Sequence, residues 1–215
     1  MSSALIPSII RAYDDPIVRA YCWGRFWILR QRFLDEIGQY LPAQGRVLDL
    51  GCGFGLFSLY YAATRPGLQI EGFDLNPRRI EMARAAAGRL GLRNVRHEVG
   101  NVMDFRGGRQ FAAAYMLDIV HHVPVNTVRP LLEQVAKCLP AGGRLVIKDV
   151  DSAPAWKRWF TFALDKVMDP RAPVRYWPAE ELGALLESVG FRVYRHLMVD
   201  VLPYPHVLYA CERLP

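Results

Sequence analysis

The chain has 215 residues, 52% hydrophobic and 22% charged, with 27 lysines and arginines against 21 aspartates and glutamates, a net charge of +6. That length suits one domain that buries its core without disulfides or metal ions, and the composition excludes a disordered or collagen-like chain. No segment reaches the apolar length of a membrane span and Met1 to Ile10 carries no basic signal-peptide start, so a soluble or peripheral cytoplasmic protein is expected.

Apolar residues recur at helical spacing from about Pro7 to Tyr40, including Ile17, Val18, Tyr21, Ile28, Leu29, Phe33, Leu34 and Ile37, and predict one helical arm ended by Pro42 and Gly45. Arg46 to Leu50 then reads as a β-strand stopping at Gly51-Cys-Gly-Phe-Gly55, with a helix from Leu56 to about Thr64. Gln69 to Asp74 is a second strand. Asn76 and Pro77 supply a cap and a first-turn proline for a helix to about Leu90. Val95 to Val99 and Phe111 to Leu117 are further strands, the latter apolar enough to be buried on both faces. A helix over Pro124 to Leu139, the turn at Pro140 to Gly143 and a strand over Arg144 to Val150 follow. The chain closes with a helix over Ala179 to Val189 and strands over Phe191 to Leu197 and Val207 to Cys211, which lack a helix between them and should pair antiparallel. The alternation specifies a doubly wound α/β domain with a mostly parallel sheet. It divides into an arm (1–43), a core (44–151), a cap insert (152–178) and a C-terminal unit (179–215).

The basic excess favours anionic partners or simply an arginine-rich solvated surface, and its spread along the chain decides little. Cys22, Cys52, Cys138 and Cys211 lie far apart without metal or redox spacing, so they read as reduced thiols and no metal is expected.

The glycines at 51, 53 and 55, between a strand and a helix, let a backbone turn tightly and let a ligand approach the main chain. Asp74 ends the next strand, beside that loop in a doubly wound sheet, where a carboxylate can accept hydrogen bonds from both hydroxyls of a ribose. A nucleotide-like ligand fits. The dinucleotide fingerprint GxGxxG does not, because the third glycine comes one position early and Leu56 takes the last place.

Val47-Leu-Asp-Leu-Gly-Cys-Gly-Phe-Gly55 closely resembles motif I of class I S-adenosylmethionine-dependent methyltransferases. Glu71-Gly-Phe-Asp-Leu-Asn76 is similar to that family's second motif, and Leu139-Pro-Ala-Gly-Gly-Arg-Leu-Val-Ile147 to its turn into strand five. The resemblance covers roughly residues 46 to 150. It implies a Rossmann-like seven-stranded sheet of order 3-2-1-4-5-7-6 with the last strand antiparallel and helices on both faces. It also implies S-adenosyl-L-methionine as cofactor and S-adenosyl-L-homocysteine as product. Cofactor contacts would come from Asp49, Gly51, Cys52, Gly53 and Gly55, and from Asp74 and Leu75 at the ribose. Asn101 and Val102 would meet the adenine, Asn101 standing where the family usually has an aspartate. Leu117 and Asp118 would flank the methionine end.

His121 and His122, following strand four at the crevice mouth, are the candidate bases for a hydroxyl acceptor; both also have a structural reading, packing or capping the next helix. Asp149 and Asp151 could line the pocket. Two aromatic and basic segments would shape the acceptor side. One is the arm, with Tyr13, Tyr21, Trp23, Phe26 and Trp27; the other is Trp156-Lys-Arg-Trp-Phe-Thr-Phe162. They suit a small apolar or aromatic acceptor of lipid, quinone or secondary-metabolite type, peripheral contact with a membrane, or plain coverage of the sheet. Nucleic acid is less favoured, because the Asn/Asp-Pro-Pro-aromatic tetrapeptide of base-amino methyltransferases is absent. A cofactor-binding protein without turnover and a dehydrogenase remain the other readings.

Overall fold

The structure, a computed structural model, describes residues 4–104, 110–154, 156, 162, 174–198 and 205–215. Seven strands form one sheet: β1 (Gly45–Leu50), β2 (Leu68–Asp74), β3 (Val95–Val99), β4 (Ala113–Leu117), β5 (Arg144–Val150), β6 (Phe191–Met198) and β7 (His206–Arg213). Their order is β3-β2-β1-β4-β5-β7-β6. The first five run parallel and β7 runs antiparallel to both β5 and β6, as expected.

Every residue of β4 is buried, which is why that stretch is apolar without alternation. The chain reverses direction across the sheet between β1 and β4. Loops leaving those two strands therefore diverge and open a crevice at their carboxyl ends, the place where ligands bind in such sheets.

Helices α4 (Leu56–Thr64) and α5 (Pro77–Arg89) pack on one face; α6 (Val125–Lys137) and α7 (Ala179–Ser188) pack on the other. Asn76 caps α5 by accepting from the Arg78 and Arg79 amides at 3.0 and 3.2 Å, with Pro77 at the first helical position.

The expected single arm helix is three: α1 (Leu5–Arg11), α2 (Pro16–Ile28) and α3 (Gln31–Gly38). The first ends at Arg11, and Asp15 then adopts an extended conformation and caps α2, accepting from the Ile17 and Val18 amides, while Pro16 starts the new helix. Leu29 and Arg30 leave helical geometry before α3. Each helix buries apolar residues on the α4 side, so the core face runs on through both breaks and the periodicity reads as one helix. Of the cap insert, residue 155, the stretch 157–161 and residues 163–173 lie outside the described residues.

Candidate functional site

The loop after β1 is built by left-handed backbone. Gly51, Gly53 and Gly55 have φ of 71°, 54° and 80°, which side-chain-bearing residues rarely adopt. The amides of Gly51 and Cys52 both donate to the Phe73 carbonyl, at 2.8 and 3.1 Å, tying the loop to β2. A Cβ at Gly51 would lie 2.6 Å from Ile119, whereas nothing stands within 4 Å of one at Gly53. The loop thus packs against protein at Gly51 and faces open space at Gly53, where a ligand can meet the main chain.

Asp74 is placed beside that opening. One carboxylate oxygen accepts from the Gly53 amide at 3.0 Å and the other from the Asn76 amide at 2.8 Å. Each oxygen keeps a further lone pair, so the group is already oriented for two outside donors. Leu75, 71% exposed, forms a lip next to it. Asn101 has its side-chain oxygen on the Met103 amide at 3.0 Å, ordering the 3-10 turn Val102–Asp104, and Val102 is buried beneath. The two residues expected at an adenine are thus a turn-forming amide and its apolar support. A nucleoside with a cis-diol fits this cradle.

Asp49 lies one layer below the loop, 4% exposed, accepting from the Tyr115 hydroxyl at 2.9 Å. Burial raises its carboxyl to about 7, against the hydrogen bonds of Tyr115 and Ser58, with the Asp74 charge adding to the rise. Burial also pushes the Cys52 thiol far above its usual range, helped by Asp49 and Asp74, so that sulfur is no nucleophile. The raised Asp49 pKa fixes a sign. Between the ordinary carboxylate value of 3.8 and about 7 the folded chain holds a proton that the unfolded chain has released. Stability contributed by Asp49 is therefore lost as pH rises through that window. The melting temperature of the wild type minus that of Asp49→Asn should fall by several degrees from pH 4 to pH 7; a flat difference would contradict this environment.

At the carboxyl end of β4, Asp118 takes φ 56°, the sole described non-glycine residue with positive φ. It pairs with Lys148 of β5 and, at 2.5 Å, with Arg25 of α2. Desolvation by itself would raise the Asp118 carboxyl, but the two cations outweigh it and hold it far below the carboxylate range. The same burial lowers the Lys148 ammonium despite its partner. Arg25 thereby fastens the arm across the crevice. Tyr13 adds to this by donating to the Phe54 carbonyl at 2.7 Å, and Tyr21 meets the Phe54 ring edge-on.

His121 and His122 form a 3-10 turn after β4, their rings 4.1 Å apart. Asp149, at the end of β5, holds His121 twice: at Nδ1 and through the His121 amide at 3.1 Å. His121 is 3% exposed and also touches the Tyr176 ring; His122 is half-buried. Asp151 does not join them. Its carboxylate accepts from Ala153 and Ala179 and organises the start of α7.

Leu117 is buried at the end of β4 beside Asp118. Sequence reasoning missed Arg25, Ser58, His97, Tyr115 and Lys148. Lys148 had a signal, a lone cation within the apolar run of β5; Arg25 had none. Of the second aromatic segment only Trp156 and Phe162 are described. In the arm, Tyr13 and Phe26 are buried, while Trp23 (62% exposed) and Trp27 (48%) stack on each other on the outer side of α2. Among the described residues no helix is long and apolar enough to cross a membrane.

A family model described as a methyltransferase domain matches residues 25–196. The chain is 30% identical over 177 residues to an O-methyltransferase of Penicillium expansum, covering 77% of this chain and 59% of that one. It is 34% identical over 116 residues to a ubiquinone biosynthesis O-methyltransferase of Xanthomonas axonopodis pv. citri, covering 53% and 46%. It thus spans about half to three fifths of the length of these curated relatives. Among solved structures, an S-adenosylmethionine-dependent methyltransferase from Methanosarcina mazei superposes with a TM-score of 0.67 at 21% identity, covering 83% of this chain and 97% of that one. The cyclase SpnF superposes with 0.70 at 17%, covering 85% and 81%, so the fold by itself does not fix the chemistry.

Proposed function

Because this chain belongs to the class I S-adenosylmethionine-dependent methyltransferase family, we propose that it moves a methyl group onto a hydroxyl of a small apolar or aromatic acceptor. The observation that carries this reading is the cradle of Gly53 beside the pre-oriented Asp74 carboxylate. S-adenosylmethionine, once bound, supplies a methyl group on a positively charged sulfur, ready for attack by a lone pair. The O-methyltransferase activity named for two relatives supports oxygen as the reacting atom.

In this reading Asp74 holds the ribose, the Gly53 backbone lies against the cofactor, and Asn101 accepts from the adenine amino group. Leu117 closes the methionine end. Asp118, with both oxygens on Arg25 and Lys148, acts by keeping the arm folded across the crevice, which excludes water from the transfer. The acceptor hydroxyl must lose its proton as the new bond forms. His121 is the better base of the two histidines, because Asp149 fixes its Nδ1 and stabilises the imidazolium that proton uptake creates.

The experiment is a panel of phenols and catechols offered to the purified chain with S-adenosylmethionine, read as methyl ethers by mass spectrometry. His121→Gln should lower kcat about a hundredfold at unchanged cofactor affinity, within the usual range for a general base. His122→Gln should cost less. Methylated nitrogen or carbon products would overturn the oxygen assignment, and equal kcat in both variants would remove the base role.

The stacked Trp23 and Trp27, with Ile17 also exposed on α2, favour a second reading in which α2 rests on a membrane surface and the acceptor arrives from lipid. Co-sedimentation with anionic vesicles, lost on replacing both tryptophans with alanine, tests it.

A further inference from the structure

His97 sits in the middle of β3, which forms an edge of the sheet, yet it is 2% exposed and its ring lies directly beneath the glycine loop. A Cβ at Gly55 would stand 2.6 Å from its Nε2, and one at Gly72 would stand 2.9 Å from its Cδ2. Two glycines on two elements thus leave the room that this ring fills. The Nε2 atom is 2.8 Å from the Ser58 hydroxyl of α4, and Ser58 in turn donates to the Gly55 carbonyl at 3.0 Å. Ser58 also favours the charged form of Asp49.

Ser58 has one hydroxyl proton, and its hydrogen-bonding neighbours Gly55 and Asp49 present acceptor oxygens. With that proton donated to the Gly55 carbonyl, the tautomer that completes the link is the one in which His97 Nε2 donates to Ser58. The ring is neutral at physiological pH, because burial lowers its pKa to about 4, with the Arg84 charge adding to the effect. Its Nδ1 has no hydrogen-bond partner among the described residues. An apolar side chain of similar size would avoid the cost of burying that nitrogen, so an imidazole here has to be explained by what Nε2 does.

We propose that His97 is a positioning residue for cofactor binding, holding Ser58 so that Gly55 and the loop up to Gly53 keep the shape that meets the cofactor. The inference rests on the reading that S-adenosylmethionine lies on this loop. His97 touches no reacting atom and acts through Ser58 and Gly55. Loss of the hydrogen bond frees the Gly55 turn, and the Gly53 amide then no longer stays registered on Asp74.

The test is calorimetric titration of S-adenosylhomocysteine into the wild type, His97→Leu and His97→Gln, well below each melting temperature. Leucine fills the space without a donor. Glutamine carries an amide N–H at the same reach from the backbone as Nε2–H. The dissociation constant should rise about tenfold in His97→Leu, as one lost hydrogen bond predicts, and return to within threefold of wild type in His97→Gln. Ser58→Ala, which keeps the ring and removes the link, should match the leucine variant and covers the case in which His97→Leu fails to fold. Wild-type affinity in folded His97→Leu or Ser58→Ala would overturn the proposal and leave His97 a packing residue. Absence of binding by the wild type itself would instead overturn the placement of the cofactor on this loop.

Discussion

Replacing Asp74 with alanine is expected to weaken binding of S-adenosylmethionine and S-adenosylhomocysteine about a hundredfold. Two hydrogen bonds from ribose hydroxyls to a carboxylate contribute about 1.5 kcal/mol each, and about 3 kcal/mol is two decades of affinity. The substitution also releases the Gly53 and Asn76 amides from their acceptor, so the loop loses its registration on β2 as well. The fold should survive, because Asp74 is partly exposed at a strand end and the strand pairings around it are backbone bonds. Calorimetry on the folded variant is the check. Affinity within threefold of wild type would remove Asp74 from the site.

The largest loss of stability is expected from Asp118→Ala, about 3–5 kcal/mol. Removing one partner of a buried ion pair leaves the other charged and unsolvated, and Lys148 is 1% exposed in the middle of the sheet. Arg25 loses its anchor at the same time, and alanine tolerates the φ of 56° less well than aspartate does. Asp118→Asn separates these effects, since asparagine accepts the left-handed conformation and loses only the charge. Adding Lys148→Met to Asp118→Asn should recover part of the loss by removing the stranded ammonium. Urea denaturation measures all three. A loss below about 1 kcal/mol in Asp118→Ala would show that the cluster does not hold the arm.

Strand bounds were legible to within a residue or two because the strands are short β-rich runs, and a glycine directly follows β1 and β3. β3 and β5 begin and end where the sequence predicts them. The arm misled for the opposite reason: three helices share one apolar face, and only Asp15-Pro16 marks a break locally. The glycine loop and Asp74 were legible because local spacing carries them. The clamp over the crevice was not, since Arg25 and Asp118 are 93 residues apart and their pairing follows from how the arm folds over the sheet. The Ser58–His97 contact, spanning 39 residues, was hidden in the same way. His121 and His122 were found as a pair, but the bond from Asp149 that distinguishes them comes from the register of β4 and β5.

Methyl transfer onto a small acceptor is tested most directly by incubating the protein with methyl-labelled S-adenosylmethionine and a cell extract, then separating lipid, aqueous small-molecule, nucleic-acid and protein fractions. Label in the lipid or small-molecule fraction, lost in Asp74→Ala, is the predicted result. Label confined to nucleic acid or protein, or no label from a protein that still binds S-adenosylhomocysteine, would contradict it.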